Sequence, residues 1–227
     1  MPLDVDHLIA RYGHLDGKDL LAALIKGELA GRVAVTSSFG AESAVLLDLV
    51  AQVDPATPVI FLDTDELFDE TIEYRTQLER RLGLTNVVVV RPSDEELKDA
   101  ADLWRTDEDR CCELRKVRPL ARAVSGYDAL VDGRKRAHGA ERENLATLSD
   151  GGGVLKVSPL ATWSAEAIEA YFVAHDLPRH PLVAQNYRSI GCWPCTRPVE
   201  PGQSPREGRW AGKNKSECGI HTKSLGR

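Results

Sequence analysis

The stretch that decides the fold is Val33–Ser43, which reads Val-Ala-Val-Thr-Ser-Ser-Phe-Gly-Ala-Glu-Ser. It begins as a short run of β-branched and small apolar residues and then passes through small polar ones. An apolar helical pattern follows at once, from Ala41 to Val53. A strand, a tight turn and a helix in immediate succession are typical of the first half of a βαβ unit. We therefore predict a strand at Val33–Thr36 and a helix over 41–53.

The same alternation continues along the chain. A second apolar run, Val59–Leu62, precedes a helical pattern from Leu67 to Leu82, and a third run follows at Val87–Val90. Continuous β-branched runs of this kind suit strands that are buried on both faces of a parallel sheet. The alternation predicts a doubly wound α/β fold with a mainly parallel sheet.

The second half of the chain predicts two further strands and a tail. The strands are expected at Asp128–Val131 and Val154–Val157, the latter at an edge of the sheet, and Ser164 is expected to cap a helix. After Gln185 the regular pattern stops. We predict an N-terminal helical segment (1–30), an α/β domain (31–197) and a mobile tail (198–227) rich in Gly, Pro, Lys, Ser and Arg.

Composition narrows the class of protein. The chain has 227 residues and a formal net charge of −6, whereas a general nucleic-acid binder is usually basic. No apolar run approaches the length of a membrane span, and the acidic N-terminus lacks the pattern of a signal peptide. We expect a cytoplasmic protein that binds neither nucleic acid nor membranes. Whether it forms a homo-oligomer is left open.

The loop after the first strand is a candidate phosphate site. Ser37, Ser38, Gly40 and Glu42 lie where a helix begins, and backbone N–H groups at a helix start can bind phosphate. The loop has no lysine, so it is not a Walker A motif. An ordinary capped turn between strand and helix remains the alternative.

Two other strand ends carry polar residues. Asp63 and Thr64 end the second strand, where ligands bind in open α/β sheets. Arg136 and Arg142 follow the fourth strand, and guanidinium groups bind phosphate and sulfate oxygens well. The alternatives are a capped helix start for the first pair and a solvated charge run for the second.

Four of the five cysteines form two pairs. Cys111 and Cys112 are adjacent, and Cys192 and Cys195 form a CxxC motif. A reducing compartment argues against disulfides, and four thiolates can bind zinc or an iron–sulfur cluster. Adjacent cysteines fit the separate iron atoms of a [4Fe–4S] cluster better than the neighbouring corners of one zinc site. A thioredoxin-type CxxC and a buried apolar cysteine pair are the alternatives.

The fifth cysteine, Cys218, stands alone in the tail. His221 and two lysines lie close by in sequence, so Cys218 is a candidate thiolate nucleophile. An unreactive exposed thiol is the alternative. Lys116, four residues after Cys112, would share a helix face with that thiol and could offset cluster charge or bind an anion.

Taken together, these motifs resemble the cluster-containing branch of the assimilatory adenylyl sulfate (APS) and 3′-phosphoadenylyl sulfate (PAPS) reductase family. The resemblance runs from about Gly31 to His221. The matching segments are 38–42, 62–64, 111–117, 189–196, 208–210 and 217–221. The chain departs from the family pattern at Ser43, at His138–Gly139 and at Ala211.

The resemblance implies an adenine nucleotide α-hydrolase-like fold, APS as substrate, and thioredoxin or a similar dithiol as reductant. It implies that Cys218 is the nucleophile, that the other four cysteines hold the cluster, and that cations contact the substrate. Those cations are Lys116, Arg136, Arg142, Arg206, Arg209 and His221. PAPS is the alternative substrate. A tRNA-thiolating enzyme and a non-catalytic zinc-binding module are the rival functions.

Overall fold

The computed structural model describes residues 3–139, 142–213 and 215–221. Positions 214 and 222–227 of the predicted tail, and positions 1–2 of the predicted N-terminal segment, lie outside the described residues. The strands are β1 Val33–Ser37, β2 Val59–Leu62, β3 Val87–Val90, β4 Ala129–Val131, β5 Leu148–Asp150 and β6 Leu155–Val157. Within the described residues they form one sheet in the order β3-β2-β1-β4-β6-β5.

The sheet is parallel except at one end. Neighbouring strands from β3 to β6 pair in parallel, and β5 pairs antiparallel with β6. This confirms the predicted α/β fold with its mainly parallel sheet.

The prediction that Val154–Val157 forms an edge strand is wrong. β6 has partners on both sides, and the edge position belongs to β5, which the sequence analysis missed. The two strands form a hairpin whose turn is closed by Asp150, since its carboxylate accepts from the N–H groups of Gly152 and Gly153. Three residues are too short a strand to show a period-2 pattern.

The third strand is also less buried than predicted. β3 has a neighbour on one side only, β2, and Val88 and Val89 are 37% and 43% exposed. A run of four valines therefore forms an edge strand here, because partial exposure of an edge does not require polar side chains.

Helices flank the sheet. Their bounds are α1 Val5–Tyr12, α2 Gly17–Ala22, α3 Ser43–Val53, α4 Asp69–Leu82, α5 Asp94–Ala100, α6 Leu103–Thr106, α7 Glu108–Cys112, α8 Arg118–Val124 and α9 Ala165–Ala174. π-Helical turns extend α2 over Ala23–Glu28 and join α7 to α8 over Glu113–Val117. The predicted cap of α9 is confirmed, because the Ser164 hydroxyl accepts from Ala167 N–H.

Alternating strand residues supply two apolar layers. One layer contains Val33 and Val35 of β1 together with Val59, Phe61, Ala129 and Val131 of the neighbouring strands. These side chains pack against α2, α3, α4 and α9. Ala34, Ile60 and Leu130 point to the opposite face and pack on α8. Successive residues of a strand point to opposite faces, so one sheet separates both layers. The N-terminal helices α1 and α2 contribute to the larger layer and are part of the same core.

The described part of the tail has little regular structure and packs against the sheet. Val199 and Trp210 are buried, and the backbone N–H of Trp210 donates to the Cys195 carbonyl at 3.0 Å. The tail thereby lies across the carboxyl ends of the central strands.

Among the described residues, none of the helices combines the length and apolar character needed to cross a membrane.

Candidate functional site

A large cavity opens where the central parallel strands end, at the point where open α/β sheets bind ligands. The loop after β1 forms one wall, the segment after β4 another, and the tail the third. The polar and cysteine residues that line it are Thr36, Ser37, Ser38, Glu42, Ser43, Thr64, Thr71, Lys116, Asp132, Arg134, Lys135, His138, Arg142, Arg188, Ser189, Cys192, Arg206, Arg209, Glu217, Cys218 and His221.

The loop between β1 and α3 is tightly constrained. Phe39 has a φ of 47°, in the left-handed region that non-glycine residues rarely adopt, and its ring is fully buried edge-on against Phe61. The hydroxyls of Ser37 and Ser43 accept from the N–H groups of Phe39 and Gly40, at 3.2 and 2.8 Å. Packing thus holds the start of α3 in one conformation facing the cavity, where its N–H groups can bind an anion.

Positive charge dominates the cavity although the chain is acidic. Seven lysine and arginine side chains and three carboxylates line it. Each carboxylate already has a cationic partner: Glu42 pairs with Lys135, Asp132 with Arg134, and Glu217 with Arg142 and Arg206. The excess of cations over carboxylates suits the cavity to an anionic ligand.

The buried carboxylate of Asp132 anchors the end of the tail. It accepts from Ser158 Oγ at 2.9 Å and from Arg134 Nε at 2.9 Å, and it lies 3.6 Å from His221 Nδ1. Burial opposes ionisation, but His221 and Arg134 hold the pKa of Asp132 below its ordinary value. Lys156 Nζ also donates to the His221 carbonyl at 2.9 Å, so both groups fasten the tail over the sheet.

Cys218 lies in the cavity wall with cations around it. It is partly buried, and it lies within electrostatic reach of Lys116, Arg206 and Lys215. Burial, together with the charge of Arg142, lowers the pKa of Arg206 to about 10. Lysine and arginine side chains around a partly buried thiol are typical of nucleophilic cysteines.

The other four cysteines line a second, smaller cavity directly beside the first. Cys111 and Cys112 belong to α7, a 3₁₀ turn (Trp193–Cys195) contains Cys195 and directly follows Cys192, and all five cysteines of the chain are free thiols. Cys192 lines both cavities, and its Sγ is 3.2 Å from the Thr64 hydroxyl. Among the described residues, no group of three or more His, Cys, Asp or Glu side chains is arranged around a single metal-ion position.

A buried arginine connects the two halves of this cysteine cavity. Arg115, 5% exposed, donates to the Thr64 carbonyl at 2.7 Å and pairs with Glu66. Trp193 N–H donates to the Glu66 carbonyl at 2.8 Å. The helix that carries Cys111 and Cys112 and the turn that carries Cys192 and Cys195 are thereby attached to the same loop after β2.

Most of the predicted site residues meet in the larger cavity. Those that line it are Ser37, Ser38, Gly40, Glu42, Thr64, Lys116, Arg142, Arg206, Arg209, His221 and the predicted nucleophile Cys218. The structure does not bring Asp63 and Arg136 into its lining. Asp63 pairs with Arg91 at 3.1 Å, and Arg136 Nε donates to the Leu145 carbonyl on another face of the domain. Sequence adjacency did not show which way each side chain of the Arg134–Arg136 run points.

Several lining residues were missed by the sequence analysis. Trp210 is 3% exposed, and its indole N–H has no hydrogen-bond partner within the described residues. Gly191 lies so close to Arg209 that an added Cβ would stand 2.4 Å from its Nη2. Asp132 directly follows β4, so the strand-end rule that selected Asp63 would also have found it.

Comparison with known proteins agrees with this geometry. The sequence pattern of the phosphoadenosine phosphosulfate reductase domain matches residues 32–198. The chain belongs to this reductase family. It is 49% identical over 232 residues to an adenosine 5′-phosphosulfate reductase of Chelativorans sp. (strain BNC1), covering 99% of this chain and 95% of that protein.

Other members of the reductase family show the same likeness. An adenosine 5′-phosphosulfate reductase of Mesorhizobium japonicum is 43% identical over 221 residues, covering 96% of this chain and 87% of that protein. The crystal structure of a phosphoadenylyl-sulfate reductase from Candida auris, a phosphate complex, superposes with a TM-score of 0.69 at 26% identity. It covers 83% of this chain and 94% of that one.

Proposed function

We propose that this chain reduces APS to sulfite and AMP, with Cys218 as the nucleophile. The observation that carries the proposal is the position of Cys218 in the wall of a cavity lined by cations. The loop after β1, which is of a type that can bind phosphate, lines the same cavity. The relatives with 49% and 43% identity are adenosine 5′-phosphosulfate reductases, which supports APS as the substrate.

The cavity offers a distinct place for each part of the substrate. The loop of Ser37, Ser38 and Gly40 at the start of α3 suits the phosphate of the adenylyl group. The cations on the opposite walls suit the sulfate oxygens, because charge-assisted hydrogen bonds to anions are short and strong. We assign this second role to Lys116, Arg142, Arg206 and Arg209 as cations and to His221 as a neutral hydrogen-bond donor, because burial lowers the pKa of His221 to about 4.

The reaction then proceeds in two steps. The Cys218 thiolate attacks the sulfur of APS, an S–S bond forms, the S–O bond breaks, and AMP leaves with the bonding electrons. The enzyme is left as an S-sulfocysteine. A thiolate of thioredoxin or a similar dithiol next attacks the Cys218 sulfur and expels sulfite, and the second thiol of the dithiol restores the Cys218 thiol. The reductant ends as a disulfide and supplies both electrons.

The four remaining cysteines suit a [4Fe–4S] cluster. Four free thiols line one cavity, Cys111, Cys112 and Cys192 are buried, and thiolates are the ordinary ligands of such clusters. Lys116 lies beside Cys112, Cys192 and Cys218; burial opposes its charge, but these thiols raise the pKa of Lys116 above its ordinary value. When bound, the cluster would supply negative charge that orients Lys116 next to the sulfate. We derive no redox step from it.

The proposal includes a division of the chain and a location. We assign nucleotide and cluster binding to residues 31–197 and catalysis to the tail 198–227, and the described part of the N-terminal segment 1–30 contributes to the core. A dithiol reductant of the thioredoxin class and the absence of structural disulfides suit the cytoplasm.

The test is the fate of sulfur in the presence and absence of reductant. Wild-type protein incubated with APS alone should release AMP and gain one sulfite-sized mass on the peptide that contains Cys218. Reduced thioredoxin should remove this mass and release sulfite. The Cys218→Ser protein should bind APS, form no adduct and release almost no sulfite, because a hydroxyl is a much weaker nucleophile.

Parallel assays with PAPS identify the substrate. A higher kcat/KM for APS than for PAPS is the expected result. A higher value for PAPS would mean that the same mechanism acts on PAPS as the preferred substrate. The proposed mechanism is wrong if the adduct maps to another cysteine or if Cys218→Ser keeps substantial turnover.

A further inference from the structure

A chain of hydrogen bonds runs from the phosphate-site loop to the tail through His138. His138 Nε2 lies 3.0 Å from Glu42 Oε2, and Arg142 Nη1 lies 3.1 Å from His138 Nδ1. Arg142 in turn binds the tail carboxylate of Glu217, with its Nε 2.7 Å from Glu217 Oε1. This series of hydrogen bonds thus connects two walls of the cavity, the loop after β1 and the tail, and both must contact the substrate.

The donors in this chain determine the tautomer of the ring. A guanidinium group can only donate, so His138 Nδ1 must accept from Arg142 and carries no proton. A carboxylate can only accept, so Nε2 carries the proton and donates to Glu42. The ring that fits both neighbours is therefore neutral, with its single proton on Nε2.

The charges around the ring agree with the neutral form. Glu42, Lys135 and Arg142 face it, and Glu42 is already bound by Lys135 Nζ at 2.5 Å. Burial, supported by the two cations, lowers the pKa of His138 below its ordinary value of 6.5, although Glu42 opposes the shift. Glu42 itself stays ionised: burial raises its pKa, but the hydrogen bonds from His138 and Lys135 outweigh this and lower the pKa to about 2.

We propose that His138 is a positioning residue that aligns Arg142 with Glu217 and keeps the tail docked only while its ring is neutral. Protonation at Nδ1 removes the acceptor for Arg142 and puts two positive groups in contact. Arg142 must then turn away, which loosens both the sulfate-binding wall and the segment that carries Cys218. The inference rests on the proposed function for its kinetic consequence, but the docking of the tail can be measured separately.

Glutamine provides the decisive substitution. Its side-chain oxygen can accept from Arg142 and its NH₂ can donate to Glu42, but it does not titrate. His138→Leu has neither group. His7→Gln, at an exposed position on α1, is the matched control for replacement of a histidine outside the cavity.

The kinetic measurement is kcat/KM for APS from pH 5 to 8.5, followed as AMP release in a single turnover without reductant. Above pH 7.5 we expect His138→Gln to match wild type and His138→Leu to be about tenfold lower, the size of one lost hydrogen bond to a charged group. Below pH 6.5 wild type and His7→Gln should fall progressively relative to His138→Gln. Superimposable profiles for wild type and His138→Gln would overturn the inference.

The second measurement is independent of turnover. Amide hydrogen exchange of tail peptides covering 215–221 is compared between wild type and His138→Gln at matched pH, where the chemical exchange rate is the same for both. The two proteins should exchange equally at pH 8, and wild type should exchange faster as the pH falls below 6.5 and the ring becomes protonated. Equal exchange at every pH down to the onset of acid unfolding contradicts the inference. Absence of AMP release with these exchange differences present would contradict the proposed function alone.

Discussion

Arg136 and Arg142 are six positions apart in the segment after β4, yet they face different parts of the molecule. Arg142 is 8% exposed, lines the cavity and binds Glu217, whereas Arg136 is exposed and bonds to the Leu145 carbonyl. The same side-chain chemistry therefore has a different consequence at each position. This difference makes the two arginines a matched pair for experiment.

We expect Arg142→Ala to lower kcat/KM for APS by about tenfold or more, since a hydrogen bond from a charged group contributes about 1.5–3 kcal/mol. Arg136→Ala should stay within about twofold of wild type, because an exposed cation contributes little. Steady-state sulfite release under identical conditions measures both. Equal losses in the two variants would show that the side-chain orientations described here do not govern substrate binding.

Trp210 offers a second prediction for a single residue. Its buried indole N–H has no partner within the described residues, and an unsatisfied buried donor costs about 1–3 kcal/mol. We expect a substrate oxygen to accept from it. Trp210→Phe keeps an apolar ring in place and should raise the KM for APS by about fivefold or more.

Trp193→Phe is the control for this experiment, because Trp193 is 48% exposed, lies in the 3₁₀ turn after Cys192 and is not part of the lining of the larger cavity. Binding of AMP, measured by calorimetry, shows whether the lost contact involves the nucleotide or the sulfate. An unchanged KM together with a higher unfolding free energy would mean that the indole N–H binds nothing in the complex.

Two short elements determine where a cluster can bind. α7 carries Cys111 and Cys112, and the 3₁₀ turn carries Cys195, with Cys192 immediately before it. The tail fastens α6 and α7 from outside. Lys213 donates to the Trp104 carbonyl of α6 at 2.9 Å and pairs with Glu108 of α7, and Lys215 pairs with Asp109 of α7 at 2.5 Å. The helix that carries Cys111 and Cys112 and the tail that carries Cys218 are therefore directly connected.

These elements predict a clear pattern of iron content. Replacing any of the four cavity cysteines by serine should reduce bound iron and visible absorbance in anaerobically purified protein, because a hydroxyl is a poor ligand for iron in such clusters. Cys218→Ser should retain both, since Cys218 is not in the cysteine cavity. Stoichiometric zinc with negligible iron in the wild type would show that the cluster assignment is wrong.

The free energy of unfolding should depend on pH through His180. This residue connects helix α4 to the segment that leads to Cys192 and Cys195, so its protonation affects the fold as a whole. The side chain is 1% exposed; its Nδ1 accepts from Leu182 N–H, so Nε2 carries the proton and bonds the Thr71 hydroxyl at 3.0 Å. Burial lowers the pKa of His180 to about 4, although Glu70 opposes the shift.

A folded pKa below the unfolded value means that the unfolded chain binds the extra proton first as pH falls. The contribution of His180 to stability is therefore complete above pH 6.5 and is lost as the pH drops from 6.5 towards 4. The loss is on the order of 2–3 kcal/mol. Urea unfolding at a series of pH values should show a smaller acid loss in His180→Asn than in wild type. His14→Asn, an exposed control, should follow the wild-type pH dependence, and identical slopes in all three proteins would refute this account.

The sequence by itself determined the layers and the chemistry. Continuous β-branched runs and capping residues are local properties, so the strands Val59–Leu62 and Val87–Val90 were predicted with their observed bounds and the helix after Ser164 with its cap. The cysteine pairs and the lone Cys218 were visible because spacing along the chain limits which thiols can share a metal centre.

Only the tertiary structure decided which side chains face one another. The edge positions of β3 and β5, the outward turn of Arg136, and the contact of His138 with both Glu42 and Arg142 depend on residues far apart in sequence. The docking of the tail belongs to this group too, because its ion pairs involve α7 and the segment after β4 and a further hydrogen bond comes from β6. Local composition predicts that such a tail is polar and irregular. Its position depends on the charged side chains that the folded domain places around it.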